Sequence, residues 1–259
     1  MHVTVMSYSF YPITRAGTMD VFGYLETIRY RYGLRTADLW NWTMASTEED
    51  YVRVVRRGLV ERGLELAGLN VSNYLIWDDD PGIRNYNHRS VLANLRIAEI
   101  LGAQTVSLEA GGHHDAHDYT EEQFDYFVTR YREYAQRAYD NGYRVGPENH
   151  FGPELRPTVM RRLCEAIDHP GLGFLLHAGN WHGENADRGN TMLAPWVMHV
   201  HLPDSLSDKD LSEMMTMLRD HGYAGAWSVE AVYGGTYAQV GAMIARVQRV
   251  LEGWRLIDQ

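Results

Sequence analysis

Four phrases, GPENH (146–150), FLLHAGN (174–180), MHVHLPD (198–204) and WSVEAV (227–232), carry an apolar, strand-like run to a residue type that binds metal ions. They place Glu148, His177, His201 and Glu230 at equivalent points, separated by 29, 24 and 29 residues. Each interval has room for one helix and one strand, so the four side chains are expected at the same end of successive strands. The rhythm predicts an α/β fold, a (β/α)₈ barrel, with its active site at the C-terminal ends of the strands.

Working outward, strand-like runs recur near 3–7, 35–40, 64–71, 104–109, 143–148, 172–177, 196–202 and 226–230, with helical segments between them. In NHRSVLANLRIAEILGA (87–103), Val91, Leu92, Leu95, Ala98 and Leu101 share one face, and Gly102 stops the helix. In TEEQFDYFVTRYREYAQRAYDNG (120–142), Thr120 is the expected N-cap and Asn141-Gly142 the stop. A last helix near 236–253 would close the barrel. With 259 residues, 45% of them hydrophobic, residues 1–259 are expected to form a single barrel domain.

Composition removes several classes of function. A net charge of −10 opposes binding to nucleic acid or to anionic membranes. Lys209 is the only lysine among 24 basic residues, which leaves little scope for Schiff-base or pyridoxal-phosphate chemistry. Cys164 is the only cysteine, so no internal disulfide can form, and its helix-like setting in RRLCEAI suits packing better than nucleophilic attack. No run of 18 apolar residues occurs, and MHVTVMSYSF lacks the features of a secretory signal. A cytoplasmic protein is expected, and a homo-oligomer is compatible with the sequence.

Two carboxylates and two imidazoles converging on one point could hold a divalent ion and leave positions open for substrate oxygens. Such an ion favours enediolate formation next to a carbonyl, while a carboxylate moves the adjacent carbon-bound proton. Glu148 and Glu230 are the acid–base pair in this reading. On opposite faces of the substrate they would epimerise it; one base and a leaving group would give elimination. An isolated Glu or His more often simply sits at a polar strand end or pairs with an arginine, and it is four in register that point to a shared ion. Other polar strand ends are Ser7, Ser9, Asp38, Asn70, Ser72, Asn73 and Asp204.

PENH, HVHLPD, SVE and the stretch RIAEILGAQTVSLEAGG together resemble the xylose isomerase-like barrel superfamily of sugar-phosphate isomerases and epimerases. The resemblance covers nearly the whole chain. It implies a single metal held by residues of strands five to eight, here Glu148, His177, His201 and Glu230, and relatives that include ketose 3-epimerases and inosose dehydratases. The family usually has aspartate at the second position, where this chain has His177 in His177-Ala-Gly-Asn180. A neutral nitrogen in place of a carboxylate turns preference from Mg²⁺ toward Mn²⁺ first, with Zn²⁺, Co²⁺ or Fe²⁺ as alternatives. The competing reading leaves His177 hydrogen-bonded and the metal weakly held or lost. Endonuclease IV-type repair enzymes share the superfamily, but the extra ligands of their three-zinc cluster are missing here.

The loop GGHHDAHD (111–118) brings His113, His114 and His117 close together, and a substrate-contacting loop is favoured over a second metal site. Glu109, His150, Asn180 and His182 are further candidates for binding hydroxyl groups. Aromatic residues near strand ends, among them Trp40 and Tyr233, suit a sugar ring or cap the core. The expected ligand is a carbohydrate or cyclitol such as a hexose, glycoside or inositol. The function expected from these residues is a metal-dependent sugar isomerase or epimerase. A lyase or dehydratase acting on a keto-sugar, keto-inositol or 3-keto-glycoside is the nearest alternative, and a non-catalytic sugar- or partner-binding barrel the more distant one.

Overall fold

The computed structural model describes residues 2–231 and 234–257. Eight parallel strands follow in chain order: β1 (Val3–Val5), β2 (Thr36–Trp40), β3 (Glu65–Val71), β4 (Ala103–Leu108), β5 (Arg144–Gly146), β6 (Phe174–His177), β7 (Val197–Pro203) and β8 (Trp227–Glu230). Helices separate them, the longest being Pro81–Leu101, Glu121–Asp140 and Tyr237–Ile257. The strands form two four-stranded ladders, β1-β8-β7-β6 and β2-β3-β4-β5. Two seams join these ladders into the (β/α)₈ barrel.

At the β5–β6 seam, Val145 N–H donates to the Gly171 carbonyl and Leu175 N–H to the Pro147 carbonyl, at 3.0 and 2.9 Å. The regular part of β5 is shorter than its apolar run, because Pro147 has no N–H to offer a ladder. Pairing resumes one residue later with a bridge between Glu148 and Leu175, which fixes Glu148 at the barrel mouth. At the β1–β2 seam a bridge joins Met6 to Asp38. The buried Tyr24 hydroxyl fills the remaining gap, 2.6 Å from the Val5 carbonyl and 2.8 Å from that of Asp38, while accepting the Asp38 N–H at 2.9 Å.

Local signals set the long helices. Asp80 caps Pro81–Leu101 by accepting from Gly82 N–H, so this helix begins before the apolar period that starts near Asn87, and Gly102 ends it in the left-handed region at φ 70°. Thr120 and Gln123 cap Glu121–Asp140 reciprocally. The apolar faces of these helices pack on the outside of the strands: Phe127, Tyr131 and Tyr134 are fully buried, as is Cys164 on helix Pro157–Ile167. Burial pushes the Cys164 thiol far above its usual range, which suits packing and not nucleophilic attack. No helix among the described residues is long and apolar enough to cross a membrane.

Tyr24→Phe removes one hydroxyl that serves three backbone groups across the β1–β2 seam. It should lower stability by about 1–3 kcal/mol, the cost of leaving buried polar groups unpaired, and urea unfolding measures it. A loss near zero would show that the seam closes without the tyrosine.

Candidate metal centre and active site

Residues alternate between the barrel interior and the helix layer along each strand, so the inward positions of neighbouring strands meet. His177 of β6 is in register with His201 of β7, and Pro203 of β7 with Glu230 of β8. Together with Glu148 they enclose the inner end of a cavity of about 320 Å³ at the C-terminal ends of the strands. His177 Nδ1 lies 3.2 Å from Glu148 Oε1 and 3.7 Å from Glu230 Oε2; His201 Nδ1 lies 3.9 and 3.3 Å from the same two oxygens. Ligand atoms of Glu148, His177 and His201 all fall within 4.8 Å of one another, as a shared ion requires.

The donor set fits a divalent cation on one further ground. Glu230 Oε2 is buried and has no hydrogen-bond partner among the described residues, although two imidazole nitrogens face it. A buried carboxylate oxygen without a hydrogen bond is costly unless positive charge meets it, which the facing imidazoles or a metal ion would supply. Burial alone would raise the Glu148 carboxyl, but the hydrogen bond to His177 and the charges of His150 and His201 outweigh it and hold the group at about 2. Glu230 is likewise held below its usual range, burial being overcome chiefly by His201. Burial would lower His201, but Glu230 and Asp38 reverse this and push it well above the usual imidazole range. Both carboxylates are therefore charged at neutral pH and compensated by histidine.

Each of these side chains is supported from beneath or beside. Asn70 of β3 donates to Glu148 Oε2 at 2.9 Å and lies 2.7 Å from Ser107 Oγ of β4. The fully buried Asn149 accepts the His177 N–H at 2.7 Å and donates to the His177 carbonyl at 2.9 Å, which clamps the end of β6 to the loop after β5. Below His201, Asp38 Oδ2 receives His201 Nε2 at 3.2 Å, His199 Nε2 at 2.8 Å and the Ser228 hydroxyl at 2.6 Å. Asp38 is only 1% exposed, and interaction with the two histidines outweighs burial and holds its carboxyl well below the usual range.

The upper wall divides in two. On the β4–β5 side, His150 Nδ1 lies 2.9 Å from Glu109 Oε1, and Asn73 N–H lies 3.4 Å from Glu109 Oε2. Burial disfavours the charged His150 ring, but Glu109 prevails and raises it, an effect tempered by solvent at a side chain that is 46% exposed. On the β1–β2 side stand Met6, Tyr8 and Trp40, with Trp40 Nε1 donating to Ser72 Oγ at 2.5 Å and the Tyr8 ring meeting Trp40 edge-on at 5.3 Å.

Of the residues singled out from sequence, Glu148, Glu230, His177, His201, His150, Glu109 and Trp40, with the strand-end residues Asn70, Ser72 and Asn73, are brought together at this cavity. The remaining candidates stand apart from its described lining. His113 is 76% exposed and lies 3.6 Å from Asp79, and His114 stacks on Phe151 at 4.4 Å. His182 is exposed, and Asn180 Nδ2 lies 3.2 Å from the Asn149 carbonyl. Tyr233 lies outside the described residues. The histidine loop is turned away because Gly111 pairs with Trp77 and Gly152 packs against the His113 carbonyl, both glycines at positive φ. Asp38 and Asn70 stood out in the sequence only as polar strand ends, and His199 and Ser228 not at all. His199 could have been found from the alternation in MHVHLPD, which puts it on the same side of β7 as His201.

The model of the family described as xylose isomerase-like TIM barrel matches residues 30–252. The chain belongs to this family. Among solved structures, this xylose isomerase-like barrel is similar to a D-psicose 3-epimerase determined in the presence of D-fructose (13% identity, 99% of each chain, TM-score 0.74). It is also similar to a xylose isomerase-like protein from Mycobacterium smegmatis in complex with magnesium (14%, 96% of each chain, TM-score 0.74). A third is a probable 3-DHS dehydratase of petrobactin synthesis from Bacillus anthracis (14%, 97% of this chain and 99% of that one, TM-score 0.69). No curated protein matches the chain. At these identities the likeness establishes the fold.

One buried carboxyl beside the cavity makes a pH prediction. Glu154 accepts the Ala110 N–H at 2.7 Å and ties the loop after β5 to the loop after β4. Burial raises its carboxyl well above the usual range, only partly offset by that hydrogen bond. The folded state then keeps a proton that the unfolded chain has lost, so the stability Glu154 contributes is whole below the unfolded value of 4.5 and is lost as pH rises through the folded one. Glu154→Gln lacks this slope. Its stability relative to wild type should rise between about pH 5 and about pH 8 in urea unfolding, and a constant difference would refute the raised value.

Proposed function

We propose that the protein is a divalent-metal-dependent isomerase or epimerase of a carbohydrate or cyclitol, moving a proton on the carbon next to a carbonyl. The observation that carries this reading is the pair of buried carboxylates, Glu148 and Glu230, facing the same two imidazoles at the floor of one cavity, with Glu230 Oε2 unpaired. Glu148, His177, His201 and Glu230 would hold the ion, Mn²⁺ by preference given the two nitrogen ligands. When bound, the ion supplies positive charge that stabilises the developing enediolate oxygens.

The chain's own residues do the rest. Both glutamates are charged at neutral pH, so one can remove the substrate proton, and the proton returned to the opposite face would come from solvent or a neighbouring imidazolium by way of the other. Asn70 fixes the orientation of Glu148 through its Oε2, which leaves Oε1 toward the cavity floor. His150 and Glu109 present a donor and an acceptor to substrate hydroxyls, and Trp40 offers an apolar face to the sugar ring. His177 replaces an aspartate as ligand in this reading, and the lower negative charge it leaves favours a softer ion than Mg²⁺.

A second outcome, elimination, is favoured by one observation. His150 lines the same cavity with its ring biased toward the protonated form by Glu109, which supplies a proton for a departing hydroxyl or alkoxide. Product analysis in deuterated water separates the two outcomes. An isomer carrying solvent deuterium marks epimerisation, and an unsaturated or released product marks a lyase.

Two measurements test the reading as a whole. Glu230→Gln should lower kcat by about 10²–10⁴ on any substrate that the wild-type protein turns over, and full retention would sink the two-carboxylate mechanism. Titration of chelator-treated protein with Mn²⁺ should show one ion per chain, with His177→Ala weakening it. Protein that binds sugar with no metal would instead favour a non-catalytic barrel.

A further inference from the structure

We propose that Asp38 is a positioning residue of the metal centre: it holds the Nε2–H of His201 and so leaves the Nδ1 lone pair directed at Glu148, His177 and Glu230. This rests on the metal-dependent reading above. An ionised carboxylate can only accept hydrogen bonds, so the ring nitrogen 3.2 Å from Asp38 Oδ2 must carry a proton. A metal ion would take the place of the second ring proton, so in the loaded, neutral imidazole the bare nitrogen is the one 3.3 Å from Glu230 Oε2. Turning the ring over would exchange the two nitrogens and break the bond to Asp38.

Asp38 is itself immobilised. Ser228 and His199 donate to the same oxygen at 2.6 and 2.8 Å, and the Tyr24 hydroxyl binds its backbone. Gly68, its register partner on β3, leaves the room: a Cβ there would stand 2.7 Å from Asp38 Oδ1 and 3.3 Å from His199 Nε2. A glycine inside a strand commonly marks such a close approach.

Asp38, His199 and His201 also lie close enough to hold an ion of their own. A metal there would need bare ring nitrogens about 2.0–2.1 Å from it, whereas Asp38 Oδ2 already gathers three donors at hydrogen-bond distances, one of them a hydroxyl. The lower cluster therefore serves the upper one and is not a second centre.

The test is Mn²⁺ titration by calorimetry on chelator-treated wild-type, Asp38→Asn and Cys164→Ala proteins. Asp38→Asn should weaken Mn²⁺ binding by about 10–100-fold. Cys164→Ala loosens the buried helix layer outside β6, away from Asp38 and His201, and should bind Mn²⁺ close to wild type. Equal losses in both variants would mark general loosening of the core and overturn the proposal, as would an unchanged Asp38→Asn. If Asp38→Asn does not fold, long-range ¹H–¹⁵N spectra of the Zn²⁺-loaded wild type decide: a proton on His201 Nε2 is expected, and a proton on Nδ1 overturns it. Wild-type protein that takes up no Mn²⁺ would sink the metal-dependent function itself, whereas binding that ignores Asp38 would sink only the positioning role.

Discussion

Three carboxylates, Asp38, Glu148 and Glu230, are buried at one end of the barrel, and the arrangement of everything around them follows from that. Charge of this density is tolerable only where positive groups are close. Among the described residues no lysine or arginine lines the cavity. Histidines occupy the positions where a cation would otherwise be needed: His199 and His201 against Asp38, His177 and His201 against Glu148 and Glu230. The buried carboxylates are thus balanced by rings that can give up their protons.

The barrel was legible in the sequence because its strands alternate with helices at a regular spacing and because caps such as Thr120 and stops such as Gly102 are local signals. Glu148, His177, His201 and Glu230 were legible for the same reason, since equivalent strand ends must meet at one mouth. What could not be read was anything that depends on how the two ladders close. Asp38 reaches His199 and His201 across the barrel, more than 160 positions along the chain, and no period in the sequence announces that meeting. The histidine loop misled in the opposite direction. Its composition suits a binding site, but two glycines at positive φ and their backbone packing turn His113 outward.

The upper cavity combines a polar wall, Glu109 and His150, with an aromatic one, Tyr8 and Trp40, above the charged floor. A ring with one apolar face and hydroxyls at its edge meets both walls at once, and a flat hydrocarbon or a phosphate ester would meet only one. Because Asn149 and Glu154 brace the loops after β4 and β5 through backbone amides, the polar wall is held by the scaffold and not by the ligand. The site is consequently pre-formed, and little ordering is left to be done when a ligand arrives.

The sole thiol of the chain, Cys164, lies fully buried on the helix outside β6, away from the cavity. A thiol reagent can reach it only when that helix leaves the barrel. The rate of labelling therefore reads the opening of this part of the molecule directly, in the native protein and without an engineered probe. Any ligand that closes the mouth will declare itself at the opposite layer of the fold as a slower clock.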